Sequence, residues 1–218
     1  MKSNNFSTKK LVGIAVFAAL AFGVTFIFRI PVMFLTFDAK DAILVVASFI
    51  YGPGAAIIMS LIISILEISI SETAVIGALM NFVSSAVFAG TASLIYKRNR
   101  TYTGALIGIF TSVAITTAVM MVMNILVTPI YMGVERSVVI SMLPTVLLPF
   151  NFAKTLMNGA IAMLIYKPVA VAMRRVRVLD GKPMGTKFGK QSIVTIILGT
   201  LSLAVAITVF IILNTMNS

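Results

Sequence analysis

The sequence predicts an all-α integral membrane protein: a bundle of six transmembrane helices, a seventh helix added after it, and the N-terminus in the cytoplasm. Three observations carry this. Of 218 residues, 60% are hydrophobic and only 11% charged, and apolar runs long enough to cross about 30 Å of hydrocarbon recur along the chain. Lysine and arginine collect in a few short segments, the pattern that sets membrane orientation. Cys and His are both absent, which removes disulfides, thiolate chemistry, the commonest metal ligand and the usual general base near neutral pH.

The first helix is predicted over 10–29, ended by Arg29 and Pro31. Lys9 and Lys10 before an apolar run imitate a signal peptide, but further spans follow at once without a clear small-residue cleavage site, so the helix is read as retained. RIPVMFLTFDAKD reads as a loop into a short second helix over 41–51. Gly52 and Pro53 make YGPGA a turn, and a third helix over 54–70 is closed by SISET. The fourth covers 73–96 and meets KRNR; the fifth covers 103–130, stopped by Thr128 and Pro129. The sixth covers 142–173, its first turns loosened by Pro144 and Pro149, and the seventh covers 192–213. The chain thus divides into a membrane domain at 1–173, a basic cytoplasmic linker at 174–191, and an extra transmembrane helix with a short tail at 192–218.

With the N-terminus inside, thirteen Lys and Arg fall in inner segments against three outside (Arg29, Lys40 and Arg136), and Lys154 is left within a helix. That asymmetry fixes the orientation and makes 97–101 and 174–190 cytoplasmic and 132–138 external. It also gives the +11 net charge a role at the bilayer, with no need of nucleic acid. GTKFGKQS (Gly185 to Ser192) imitates a phosphate loop, but it has three residues between its glycines rather than four and follows a basic linker, not a strand. It reads as a solvated linker beside anionic lipid.

Polar residues inside the apolar runs are the functional signal. At 1.5 Å per residue, Asn151 and Lys154 lie roughly 13–18 Å deep, Asn124 about 8–10 Å and Asn81 about 10–12 Å below the outer surface. Glu67 sits near the outer end of the third helix, and Asn151, Lys154 and Asn158 share a face. Each asparagine alone reads equally well as interhelical glue. Lys154 is too far from either end to snorkel easily, so it should face a polar cavity; its structural alternative is an ion pair with Glu67. Together these groups predict a pocket opening outward. On the first helix, Ala15, Ala19 and Gly23 fall four apart, with Ala18 and Ala21 beside them, a stripe that permits close helix approach. From the stripe alone, packing inside the same bundle is the simpler reading.

Certain segments carry a family likeness. FLTFDAKDAILVVASFIYGPGA, ALMNF, MNIL and LLPFNFAK resemble the substrate-binding S components of energy-coupling factor (ECF) vitamin transporters, and within them the riboflavin-specific branch, over about residues 8–172. The resemblance implies a six-helix S-component bundle in the bacterial cell membrane that takes its vitamin from outside. Transport would need a transmembrane coupling protein and two ATP-binding subunits. Riboflavin would be the transported ligand, with no cofactor beside it. In such proteins the first loop closes over the ligand, which makes Leu35, Thr36 and Asp38 lid contacts. Asn124, Asn151 and Lys154, with Asn81, become polar contacts to the ring system, and Ala15, Ala19 and Gly23 match the surface that docks on the transmembrane partner. The seventh helix departs from the six-helix pattern and is expected to be an accessory anchor, away from the pocket.

Other readings remain open. The same fold could hold another vitamin or vitamin precursor. An intramembrane enzyme is disfavoured by the lack of His, Cys and a deep acidic pair. A channel is disfavoured by the lack of a charge ring or pore-lining repeat.

Overall fold

The computed structural model describes residues 8–70, 74–175 and 190–215. In chain order these form α1 (Thr8–Ile27), a hairpin of β1 (Arg29–Val32) and β2 (Leu35–Asp38), α2 (Lys40–Tyr51), α3 (Pro53–Glu67) and α4 (Ala74–Arg98). Then follow α5 (Tyr102–Met132), α6 (Arg136–Met142), a π turn (Leu143–Leu147), α7 (Leu148–Arg175) and α8 (Lys190–Thr215). The seven predicted helices are all present, with α6, the π turn and α7 running on as the sixth.

Among the described residues, five helical stretches are long and apolar enough to span a bilayer: α1, α4, α5, the α6–α7 run and α8. At 12 residues α2 is only about 18 Å long, too short to span alone. It has no need to, because α1, α3, α4 and α7 all pack around it. Nine of its residues, from Lys40 to Phe49, are buried, as expected of a helix apolar on every side. The main core forms here, with Leu44, Val45, Met59, Ile63, Phe88 and Ile109 among its fully buried members. By contrast α3 is two-sided: Ala55, Ala56, Met59 and Ile63 face inward, while Ile58, Leu61, Ile62 and Ile65 are exposed to the lipid side. The turn between α2 and α3 needs Gly52, whose φ of 93° is costly for residues with a Cβ, and Pro53 starts α3 where its missing N–H is harmless.

Four predictions are corrected. The segment read as a loop before α2 is a β-hairpin, with Arg29 opposite Asp38 and Val32 opposite Leu35. Its two-residue turn is invisible to glycine-based signals because Met33 takes the positive φ of 53°. The third helix ends at Glu67 rather than 70, the last residues forming a turn. The fifth helix runs through Pro129 to Met132: only one amide is lost close to the end, and Gly133 at φ 65° supplies the actual stop. The sixth helix begins at Arg136 rather than 142, with α6 as its first turns. Pro144 is accommodated by the π turn, which widens the helix just before Asn151. Most of the predicted basic linker, 176–189, with most of GTKFGKQS, lies outside the described residues.

Candidate functional site

A cavity of about 100 Å³ lies beneath the hairpin, walled by α1, α3, α4, α5 and α7. Its polar wall brings together Asp38, Glu67, Asn81, Ser84, Asn124, Asn151 and Lys154, and its apolar wall includes Phe34, Leu35, Met80, Met120, Tyr131 and Phe150. All seven predicted binding residues, Leu35, Thr36, Asp38, Asn81, Asn124, Asn151 and Lys154, line this one cavity. They come from four separate parts of the chain, which the bundle gathers at its outer end.

Asn124 and Asn151 are held in place by their own helical runs, Asn81 by a neighbouring helix. Asn124 Nδ2 donates to Met120 O at 2.7 Å, and its carboxamide oxygen accepts from Thr128 Oγ1 at 2.9 Å. Asn151 Nδ2 donates to Leu147 O at 2.8 Å, at the end of the π turn. An amide nitrogen carries two hydrogens, so each keeps a second donor that can serve the cavity. Asn81 Nδ2 donates to Glu67 Oε2 at 2.9 Å.

Lys154 lines the cavity, and its ion-pair partner is not Glu67, the structural alternative weighed for it. Its ammonium lies 2.7 Å from Asp38 Oδ2 and 3.2 Å from Thr36 O, both in β2 of the hairpin. Glu67 instead pairs with Lys40, at 2.9 Å, and Lys40 also reaches Asp38 Oδ2 at 3.2 Å. A continuous chain of contacts therefore runs from Lys154 through Asp38, Lys40 and Glu67 to Asn81. Burying charges is tolerable only with such compensation. Burial pushes the Asp38 carboxyl up, but Lys154 and Lys40 outweigh it and hold the group below the usual carboxylate range. Among the described residues Asp38 Oδ1 has no hydrogen-bond partner; it is buried beside the cavity, an acceptor available to a donor group.

Sequence reasoning counted Lys40 as an outer-loop charge, whereas the structure buries it to 1% exposure. The signal was present: Lys40 stands between Asp38 and Asp41 at the mouth of an apolar helix, where a solvated loop has no need of alternating charge. Asp41 is likewise buried and accepts from Ser85 Oγ. Asn158, one turn beyond Lys154, does not reach the cavity. It accepts from Ala42 N at 2.8 Å and donates to Asp38 O at 2.8 Å, so α7 supplies the N-terminal cap that Ala39 cannot give α2.

The hairpin is fastened at several points. Arg29 Nη1 donates to Ile70 O at 2.8 Å, and Phe34 at the turn lies 6.2 Å from the Tyr131 ring. Arg29, Phe34 and Tyr131 all line the cavity and were missed as site residues; nothing local marks them, since each is defined by what the fold brings opposite. On α1, Ala18 and Ala21 are buried in the core, while Ala15, Ala19 and Gly23 are exposed. The stripe is thus not spent on packing within the chain, contrary to the simpler reading.

Comparison with known proteins agrees with this geometry. A family profile described as "ECF transporter, substrate-specific component" matches residues 9–170. The riboflavin transporter RibU of Staphylococcus aureus (strain TCH60) is 30% identical over 184 residues, covering 80% of this chain and 97% of the relative. The riboflavin transporter FmnP of Bacillus subtilis (strain 168) is 26% identical over 171 residues, 72% of this chain and 90% of the relative. A solved structure, described as the S component of a bacterial ECF transporter, superposes with a TM-score of 0.66 at 29% identity, covering 77% of this chain and 98% of its own. A bundle with several helices long and apolar enough to span a membrane, a cavity beneath its hairpin and a family match over most of its length make this chain a multi-pass membrane protein, not an enzyme, and a member of the substrate-specific components of ECF transporters.

Proposed function

We propose that this chain is the riboflavin-binding subunit of an ECF transporter, taking the vitamin from outside the cell. Both named relatives are riboflavin transporters, and the cavity has the chemistry the ligand requires. The observation that carries the reading is the convergence of Asn124, Asn151 and Lys154 with the rings of Phe34, Tyr131 and Phe150 on one cavity. A flavin is a flat, largely apolar ring edged by carbonyl oxygens and ring nitrogens, and it suits a hydrophobic slot with a few placed donors. Lys154 and the amides supply donors, and the unpaired Asp38 Oδ1 supplies an acceptor for an N–H or hydroxyl. The hairpin, with Leu35, Thr36 and Asp38 facing the cavity, acts as the lid.

Binding alone moves nothing across a membrane. In this reading a transmembrane coupling protein docks on the exposed stripe of Ala15, Ala19 and Gly23, where small side chains let backbones approach closely, and two ATP-binding subunits drive the cycle. The test is the purified protein itself. Its visible spectrum should show co-purifying flavin, and riboflavin titrated into flavin-free protein should lose fluorescence saturably. A colourless protein that leaves riboflavin fluorescence unchanged would overturn the assignment.

A further inference from the structure

The C-terminal helix is not a detached anchor. Along its inner half α8 lies close against α7: Gly199 is buried, and a Cβ placed there would sit 3.1 Å from the Leu164 side chain and 3.6 Å from Ala160 O. Further along, Ala206, Phe210 and Leu213 of α8 join Val32 and Phe37 of the hairpin and Phe150 and Ala153 of α7 in a second apolar core. The ring of Phe37 has Phe150 edge-on at 5.1 Å and Phe210 edge-on at 5.4 Å. Phe150 lines the cavity and Phe37 belongs to the strand carrying Thr36 and Asp38. The family match ends at residue 170, before α8 begins.

We propose that α8 is a brace for the lid, in which Phe210 is a positioning residue that holds Phe37 against Phe150 and so lengthens the stay of bound ligand. This rests on the reading of the hairpin as the lid over riboflavin. An isolated two-stranded hairpin is marginally stable, so its closed position depends on what it packs against. Lifting β2 away from the cavity must separate Phe37 from both rings, and one of the two belongs to a helix outside the matched family segment. Phe210 touches no ligand; it acts through Phe37.

Two readouts on the full-length protein test this, one of them independent of any ligand. In Phe210→Ala, backbone hydrogen exchange across 29–38 should quicken in flavin-free protein, and stopped-flow riboflavin release should accelerate roughly two- to tenfold, the factor expected for a lost aromatic pair. Phe210→Leu should fall between, and Ile207→Ala, on the exposed side of the same helix, should change neither. Unchanged hairpin exchange in Phe210→Ala overturns the brace, as does an equal effect of Ile207→Ala. Faster exchange with unchanged release overturns the role in ligand retention. If the parent protein binds no riboflavin, the ligand assignment fails while hairpin exchange still decides the brace.

Discussion

The ammonium of Lys154 meets the carboxylate of Asp38 at 2.7 Å, joining α7 to the last residue of the hairpin across 116 positions of sequence. Asp38 has a second cation in Lys40, so its charge remains compensated without Lys154. Lys154→Met should therefore fold and unfold at nearly the parental temperature yet bind riboflavin more weakly, by about 1.5–3 kcal/mol for a lost charged hydrogen bond. Fluorescence-quenching titration reads this directly; parental affinity would show that Lys154 serves structure alone.

Lys40→Met should do the opposite. Lys40 joins Asp38 and Glu67 from a site with 1% exposure, and removing one member of a buried ion network typically costs about 3–5 kcal/mol. The thermal midpoint should fall steeply. Adding Glu67→Gln should recover part of the loss, because it removes the carboxylate left without its cation. Failure of the double variant to recover would mean that Glu67 is compensated from elsewhere.

Asn158→Ala tests the cap supplied from α7. It orphans Ala42 N–H and Asp38 C=O, each worth about 1–3 kcal/mol when left buried and unpaired. A clear drop in the unfolding midpoint is expected, with a smaller effect on riboflavin affinity than Lys154→Met. A midpoint within error of the parent would exclude the cap as a contributor to stability.

Orientation can be checked without removing native thiols, since the chain has no Cys. A Cys at Asn99 should resist an impermeant maleimide in intact cells, and one at Ser137 should react; both positions are exposed. The reverse pattern would invert the topology.

Ala15→Phe or Ala19→Phe should abolish uptake while riboflavin titration stays parental, because these side chains are exposed and do not line the cavity. Loss of affinity with intact assembly would move the stripe into the folded core.

The bundle was legible because membrane helices are written as long apolar runs, and the binding residues because an amide or ammonium in hydrocarbon demands a reason. Lys154, Asn151 and Asn124 stand out on that ground alone, and the cavity contains all three. What stayed hidden was the partner of Lys154. Glu67 was the structural alternative weighed for Lys154, yet the hairpin carries Asp38 to Lys154 and Lys40 takes Glu67. A short hairpin turned by Met33 has no glycine to announce it, so the segment read as loop. The packing of α8 on Phe37 was equally hidden, because its scattered polar residues give no direction and its apolar residues suit lipid and protein alike.

Asn158 completes the first turn of α2 from far downstream, and that has a consequence for biosynthesis. The ribosome delivers α2 to the membrane more than a hundred residues before it delivers Asn158 and Lys154. Until then Asp38, just before α2, lacks its Lys154 ion pair and the first turn of α2 lacks its cap, and unsatisfied groups are costly in lipid. The nascent α2 must wait near the aqueous interface or against the translocation machinery, settling only once α7 arrives. On this ordering the hairpin end of the bundle matures late, and nascent chains arrested before residue 154 should leave the hairpin open to proteases that spare it in the finished protein.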